Sequence, residues 1–525
     1  MVESDDGSGA SAGIDRQVRA RFAGLWAQIR ARFAVDTRSL AALRIGLGLT
    51  LLVDLLGRAR HMDTFYTDTG VYPLTASEST YPEYTGLSIH ALSGELWVQQ
   101  LLFLVAGIVA VAFAVGYRSR LTGAASLGLL FSLHARTPTV LNGGDRLLAV
   151  LLLVALLAPI GERWSVDALR RGSARDRVAS FGTAALLCQP LVVFAANAAI
   201  KHRGDHWYTG EALGIALEND LMTIGLGNHL TNYPMLVTGL TYVWVTLLAG
   251  SVVFLLVPVG RLRTAAALGY TAAFAGMALT MTVGLFPLVL TVALLPFLTA
   301  SFWDRVARHV PRAWVDRLPT ALPGPPGRPP LERRLLAAVE SRGYGDLAAS
   351  TRVIGRSLLT VAGALAVVWM VAFGAADATA FEVPDPVDDD RLDQQRWGLY
   401  APDPSTGYSW YVVAADLGGE SVVADLPGTA DGFDRPPDVA ATHPTFRYRK
   451  HMAQVRSAGE DADTDETIAV DYAAWACRQV EAARGKTPTE LTVYQLYQRI
   501  PVDGTVDGEA DPPRRDLVIE QGCGG

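Results

Sequence analysis

The sequence predicts an all-α polytopic membrane helical bundle of about nine spans, followed by a C-terminal extracytoplasmic α+β domain. Three observations carry this prediction. Mean hydropathy is +0.23, and long apolar runs recur up to Ala375. Charge divides at the same place: 32 Lys+Arg stand against 24 Asp+Glu up to Ala375, and 13 against 28 beyond it. Arginine-rich segments also fall in alternate loops, as expected when one side of a membrane retains the cationic loops.

The segments follow in order. Residues 1–35 have a polar start, for which no cleavable signal peptide is expected, and then Ile14, Val18, Phe22, Leu25, Trp26, Ile29 and Phe33 at helical spacing between arginines. Such a basic amphipathic helix either lies on the cytoplasmic membrane surface or packs beneath the bundle. About 20 apolar residues cross roughly 30 Å of hydrocarbon. Spans are therefore expected at 40–57, 97–117, 121–133, 146–160, 180–200, 235–259, 264–283 and 284–302, within a membrane domain at 36–303. A cytoplasmic Arg/Pro-rich linker at 304–352, stiffened by the prolines of 319–330, leads to a last transmembrane helix at 353–375, with its apolar run at 357–375. This places the chain in the cell membrane as a multi-pass protein, with a cytoplasmic N-terminus and an extracytoplasmic C-terminal domain.

Residues 376–525 form that acidic domain, with strands expected at 408–416, 420–426 and 490–499 and a helix at 467–483. Tyr408, Trp410, Tyr411, Tyr494 and Tyr497 read as core aromatics. A lysine-poor acidic surface fits a salt-adapted exterior and excludes nucleic acid as a partner. The lipid bilayer and an exported peptide or protein are the partners left. Cys477 and Cys523 can form a disulfide if the domain lies outside the cell.

Lys201 is the only lysine in the first 449 residues. Desolvation lowers the pKa of an ammonium, whereas a guanidinium stays charged, so a lysine at the membrane edge is a candidate proton acceptor. Gln189, Asn197 and Lys201 lie eight and four residues apart, on one face of the fifth span. That stripe either lines a polar cavity or holds the bundle together by interhelical hydrogen bonds. His61, His90, His134, His202, His206 and His229 all fall in loops expected outside, which favours a cavity there. Arg44 and Asp54 of the first span read as anchors, with Arg44 snorkelling to the cytoplasmic edge. His202 and His206 have the spacing of two metal ligands, but Gly204 interrupts the helix and no third ligand is evident, so no metal is expected. No P-loop, Gly-x-Gly-x-x-Gly or Gly-x-Ser-x-Gly element occurs in a fitting context.

Several stretches together resemble one family. They are Asp36 to Gly46, Phe65-Tyr66-Thr67-Asp68-Thr69-Gly70-Val71, Arg136-Thr137-Pro138 with Asn142-Gly143-Gly144-Asp145, Pro159 to Ala168, and Lys201 through Trp207 with Gly210. Over about residues 36–303 the chain resembles the HTTM (horizontally transferred transmembrane) family, and Gln395 to Pro404 resembles domains that follow such units. The family is distantly related to the vitamin K-dependent gamma-carboxylases. In those enzymes a lysine deprotonates a vitamin K hydroquinone, and oxygenation generates a strong base. That base removes a glutamate γ-proton, so that CO2 can add. The resemblance thus implies a carboxylase-like membrane enzyme of lyase or ligase type with a reduced quinone as cofactor; the residues alone identify no cofactor. Lys201 and His202 are then the candidate catalytic residues, and Asn197, Trp207, Tyr66, Asp68, Arg136, Asn142 and Asp145 the candidate binding residues.

The chain departs from the carboxylases in two places. Their corresponding segment has two adjacent lysines, of which the second is the base; counting back from Trp207, Lys201 matches the first and His202 occupies the second. Their Asn-His pair is also missing from Asn142-Gly143-Gly144-Asp145. Two functions remain open: an enzyme modifying an exported peptide or a quinone-like substrate at the external face, or a non-catalytic membrane factor that binds or exports a partner.

Overall fold

Asp36 sits where a short strand turns into the first long helix. The strand β1 (Val35–Asp36) pairs with β2 (Arg177–Val178), and the Asp36 carboxylate accepts the Arg38 N–H at 2.8 Å to open α1 (Thr37–Ala59). A capping carboxylate answers a donor that the helix leaves open, contributing about 1 kcal/mol. This is a computed structural model, and it describes residue 21, residues 23–309, several positions between 355 and 368, and residues 399–460, 467–500 and 512–524. The polar start, the proline-rich 319–330 stretch and Gln395 to Gly398 lie outside the described residues.

The bundle continues with α2 (Leu96–Ala114), α3 (Ser119–Arg136), α4 (Gly143–Leu157) and α5 (Phe181–Lys201). It closes with α6 (Pro234–Ala249), α7 (Arg261–Thr280) and α8 (Phe286–Leu294). Reciprocal caps start two of these helices, Asn142 with Asp145 for α4 and Ser180 with Thr183 for α5. Outward side chains such as Leu104, Val243 and Leu268 are apolar and exposed, as on a surface that meets acyl chains.

Among the described residues α1, α2 and α5 are long and apolar enough to cross a membrane. A fourth crossing arises if Phe286–Phe297 and Ala300–His309, bent by 102°, count as one span. The expected 235–259 span is broken at Gly250, between α6 and the short helix Ser251–Leu255. Uniformly apolar sequence hides such breaks, because it suits hydrocarbon whether or not the helix continues. Leu25, Trp26 and Ile29 of the basic N-terminal helix are exposed, whereas Phe33 at its end packs against the bundle core.

In the tail, β3 (Gly407–Asp416), β4 (Ser421–Ala424), β5 (Glu490–Arg499) and β6 (Arg514–Gly522) form an antiparallel sheet in the order β4-β3-β5-β6. The strand expected from Glu420 begins later because the Glu420 carbonyl closes the β3–β4 turn through Leu417 N–H, with Gly418 and Gly419 at positive φ. Along β3, Trp410 and Val412 enter one apolar cluster, while Tyr411 and Val413 enter another. Two helices cover the second face: α9 (Phe446–Glu460), which the sequence pattern does not reveal, and α10 (Thr467–Arg484). Cys477 of α10 is disulfide-bonded to Cys523 just beyond β6. Phe65, Tyr66, Tyr72 and Phe103 of the bundle join the same cluster as Tyr448, Met452 and Tyr472 of the tail, so the two parts share one core.

Candidate functional site

Two polar constellations lie where the tail meets the bundle. The first is a quartet of buried charges. Arg58 Nε donates to Asp54 at 2.8 Å, its Nη2 to Asp145 at 2.8 Å and its Nη1 to the Tyr66 hydroxyl at 2.8 Å. Arg447 of α9 donates to Asp54 at 2.6 Å and to Asp145 at 3.1 Å. Two buried guanidiniums thus balance two buried carboxylates, and the tail supplies one quarter of the set. Such an assembly adds little net stability over apolar packing, but removing one member strands a charge.

The second constellation surrounds Lys201, the last residue of α5. Its ammonium donates to the carbonyls of Leu399 (2.9 Å) and Tyr400 (2.7 Å) and lies 3.5 Å from the Trp207 ring centre. Two carbonyls and an indole face answer all three N–H bonds. The Trp207 indole N–H also donates to the Tyr400 carbonyl, at 3.1 Å. Asp403 fixes this strap by accepting the backbone N–H groups of Asp205 and His206, each at 3.0 Å.

Beneath the strap is an apolar cavity of about 420 Å³, with Lys201, Asn197, Trp207 and Tyr400 at its polar end. Phe194 stacks on Tyr270 at 5.3 Å along one wall, and Phe274 and Trp244 meet edge to face. Gly269, Ala272, Ala273 and Gly276 of α7 are too small to fill the space toward α6. The Tyr400 hydroxyl is buried with no hydrogen-bond partner among the described residues, and burial pushes its phenol up to about 12. It is therefore a neutral donor at neutral pH.

The candidate residues separate on this geometry. Asn197, Lys201 and Trp207 come together in the cavity, whereas Gln189 is buried outside its lining. His202 caps α5 with an exposed side chain against Tyr208 (5.3 Å between ring centres) and does not enter the cavity. Asp145 belongs to the charge quartet, the Tyr66 hydroxyl accepts from its Arg58, and Asn142 caps α4 while its amide reaches the Val283 carbonyl at 3.2 Å. Asp68 accepts the Leu74 N–H at 3.0 Å inside its own loop. Arg136 is fully buried and donates to the Tyr72 carbonyl at 3.2 Å. His206 meets Glu211 at 3.0 Å, and no metal-ligating group of three or more is present among the described residues.

Both anchor readings are corrected. The Arg44 guanidinium does not snorkel but is buried among the carbonyls of Ala114, Ile160, Arg163 and Trp164. Asp54 belongs to the quartet. Sequence reasoning missed Arg58, Arg447 and Tyr400. The Asp54–Arg58 spacing of four residues at the end of an apolar helix was a legible signal; a tail carbonyl reaching Lys201 leaves none.

A family model of the HTTM domain matches residues 33–303. No curated protein and no solved structure matches the chain. The matched region covers more than half of the 525 residues and contains α5 and the lining of the Lys201 cavity apart from Leu399 and Tyr400. The chain belongs to the HTTM family, whose domain is related to the vitamin K-dependent carboxylases, and is a membrane protein.

Proposed function

We propose that this protein is a carboxylase-like membrane enzyme that holds a lipid-like molecule, a reduced quinone by family relationship, in the Lys201 cavity and modifies an exported peptide beneath the tail. One observation carries the reading: an apolar cavity with a single polar end, where the only lysine of the bundle meets Asn197 and Tyr400. Its size is that of a small-molecule site. The donor set fits a hydroquinone, since the Tyr400 phenol and Asn197 amide can hold an oxygen while Phe194, Phe274 and Trp244 flank a ring. When bound, such a group supplies a hydroxyl proton for removal.

Lys201 accepts a proton only as the free amine; its two N–H bonds can stay on Leu399 and Tyr400, and its lone pair then takes the position that now faces the Trp207 ring, so the indole must give way to a proton donor. The strap is thus part of the site. A second hollow of about 470 Å³ is also lined by Tyr400, and there Arg449 and Lys450 fit a carboxylate-bearing side chain. The Cys477–Cys523 disulfide supports an exterior tail, and the arginine-rich opposite end supports a cytoplasmic N-terminus. The complete capping of Lys201 and the exposure of His202 favour the second reading, a non-catalytic factor that binds an exported partner.

Mass spectrometry of the exported proteins separates the two. Cells producing the wild-type protein, Lys201→Met and Gly269→Leu are compared with cells lacking it. Gly269 lines the cavity and an added Cβ there meets nothing within 4 Å, so a leucine can be accommodated on that wall, on a helix other than the one that carries Lys201. The enzyme reading expects a peptide mass change that both variants lose at unchanged protein abundance. A change that survives in both rejects it; a partner that still copurifies with Lys201→Met supports the factor.

A further inference from the structure

Arg263 stands in the first turn of α7, at the end of the bundle away from the tail, and is 5% exposed. Its Nη1 donates to the Arg32 carbonyl at 2.9 Å, and its guanidinium carbon lies 5.1 Å from the Phe297 ring centre. Its Nε and Nη2 are buried with no hydrogen-bond partner among the described residues. Those two nitrogens form the edge with which a guanidinium grips two oxygens at once. Arg38 shows that edge in use nearby, with Nε and Nη2 on the two Asp36 oxygens at 3.0 and 2.9 Å.

No carboxylate among the described residues pairs with Arg263. The charged groups that bear on it are Arg177 and Arg32, both positive. Arg32 adds a further buried nitrogen, Nη1, without a hydrogen-bond partner among the described residues. The nearby carboxylates are engaged elsewhere: Asp36 and Asp304 hold Arg38, and Asp176 holds Arg163. A guanidinium out of water is costly without a counter-charge, so this arrangement calls for an anion from outside the chain. Space for one adjoins the open edge. Arg263 and Arg177 line a small hollow with Gly260, Phe297 and Thr299, and Val259 at its rim is apolar and exposed. Asp36 also lines it, but both of its oxygens are taken by Arg38.

We propose that this hollow binds a phosphate group, with two of its oxygens on the Nε–Nη2 edge of Arg263 and Arg177 beside them. A phospholipid head at the membrane edge and soluble phosphate share that chemistry. The site is separate from the Lys201 cavity and needs no activity to be tested. Full-length protein is purified in neutral detergent, and its thermal unfolding midpoint is followed as inorganic phosphate replaces chloride at constant ionic strength. The same midpoint is read in phosphatidylcholine nanodiscs with and without phosphatidylglycerol. One or both additions stabilise the wild-type protein. Arg263→Gln loses two charge-assisted hydrogen bonds and weakens the apparent affinity roughly tenfold or more. Arg177→Gln, on an exposed side chain, weakens it about fivefold and carries the test if Arg263→Gln does not fold. Arg308→Gln, exposed on the helix Ala300–His309 and outside the lining, leaves it unchanged. Stabilisation by phosphate to which phosphatidylglycerol adds nothing identifies the soluble anion, and stabilisation by phosphatidylglycerol alone identifies the lipid head. The proposal is overturned if neither addition stabilises the wild-type protein. It is equally overturned if the Arg263 and Arg177 variants respond as the wild type does, or if Arg308→Gln loses as much as they do.

Discussion

Replacing Arg447 by methionine tests the joint between tail and bundle. Asp54 and Asp145 now share Arg58 and Arg447 at 2.6–3.1 Å, and all four side chains are buried. The substitution leaves two carboxylates with one guanidinium, hence one unbalanced buried negative charge. Removing one partner of a buried ion pair costs about 3–5 kcal/mol. That corresponds to a roughly 150- to 5000-fold rise in the population with α9 lifted from the bundle. Limited proteolysis and hydrogen exchange of the intact protein in detergent micelles read this directly, with protection of Phe446–Glu460 as the signal. Adding Asp54→Asn to Arg447→Met restores neutrality and recovers much of the protection. If Arg447→Met protects α9 as well as the wild-type protein does, the quartet does not hold the tail and the reasoning is refuted.

Three further outcomes are expected. Burial pushes the imidazoles of His90, His443 and His451 down to about 4 from the ordinary 6.5, so their neutral forms belong to the folded state. Their contribution is complete above pH 6.5 and is lost as pH falls from 6.5 toward 4. His451 sits among Phe65, Tyr72 and Tyr472, so His451→Phe should make acid release of the tail, followed by proteolysis, less steep. Opening the Cys477–Cys523 bridge, which closes a 46-residue separation, should destabilise the tail by about 4 kcal/mol, read as loss of β6 exchange protection under reductant. Asp403→Ala removes two backbone caps from the strap and should raise amine acylation of Lys201 about 10-fold relative to Lys486; unchanged labelling would mean the strap is held elsewhere.

Much of the membrane domain was legible because hydrocarbon imposes a simple rule on composition. The cores of α1, α2 and α5 follow the expected runs within a few residues. Breaks inside apolar sequence, as at Gly250, follow from packing and leave no mark in hydropathy. Helix α9 was missed although Tyr448, Met452, Val455 and Ala458 are buried at helical spacing, because Arg447 and His451, buried beside them, interrupt the apolar stripe with polar residues. Lys201, Asn197 and Trp207 were legible from one unusual lysine and an i, i+4 stripe. Tyr400 was not, because it reaches Lys201 through its backbone carbonyl, which any residue type carries.

That carbonyl has a wider consequence. Tyr400 oxygen serves an ammonium and an indole almost two hundred positions earlier in the chain, while the same residue lines two hollows. The lid of the inner chamber is therefore borrowed from the appended module. Grafting a foreign tail onto this bundle would exchange the door as well as the porch, and a bundle expressed alone would leave the chamber open above Lys201.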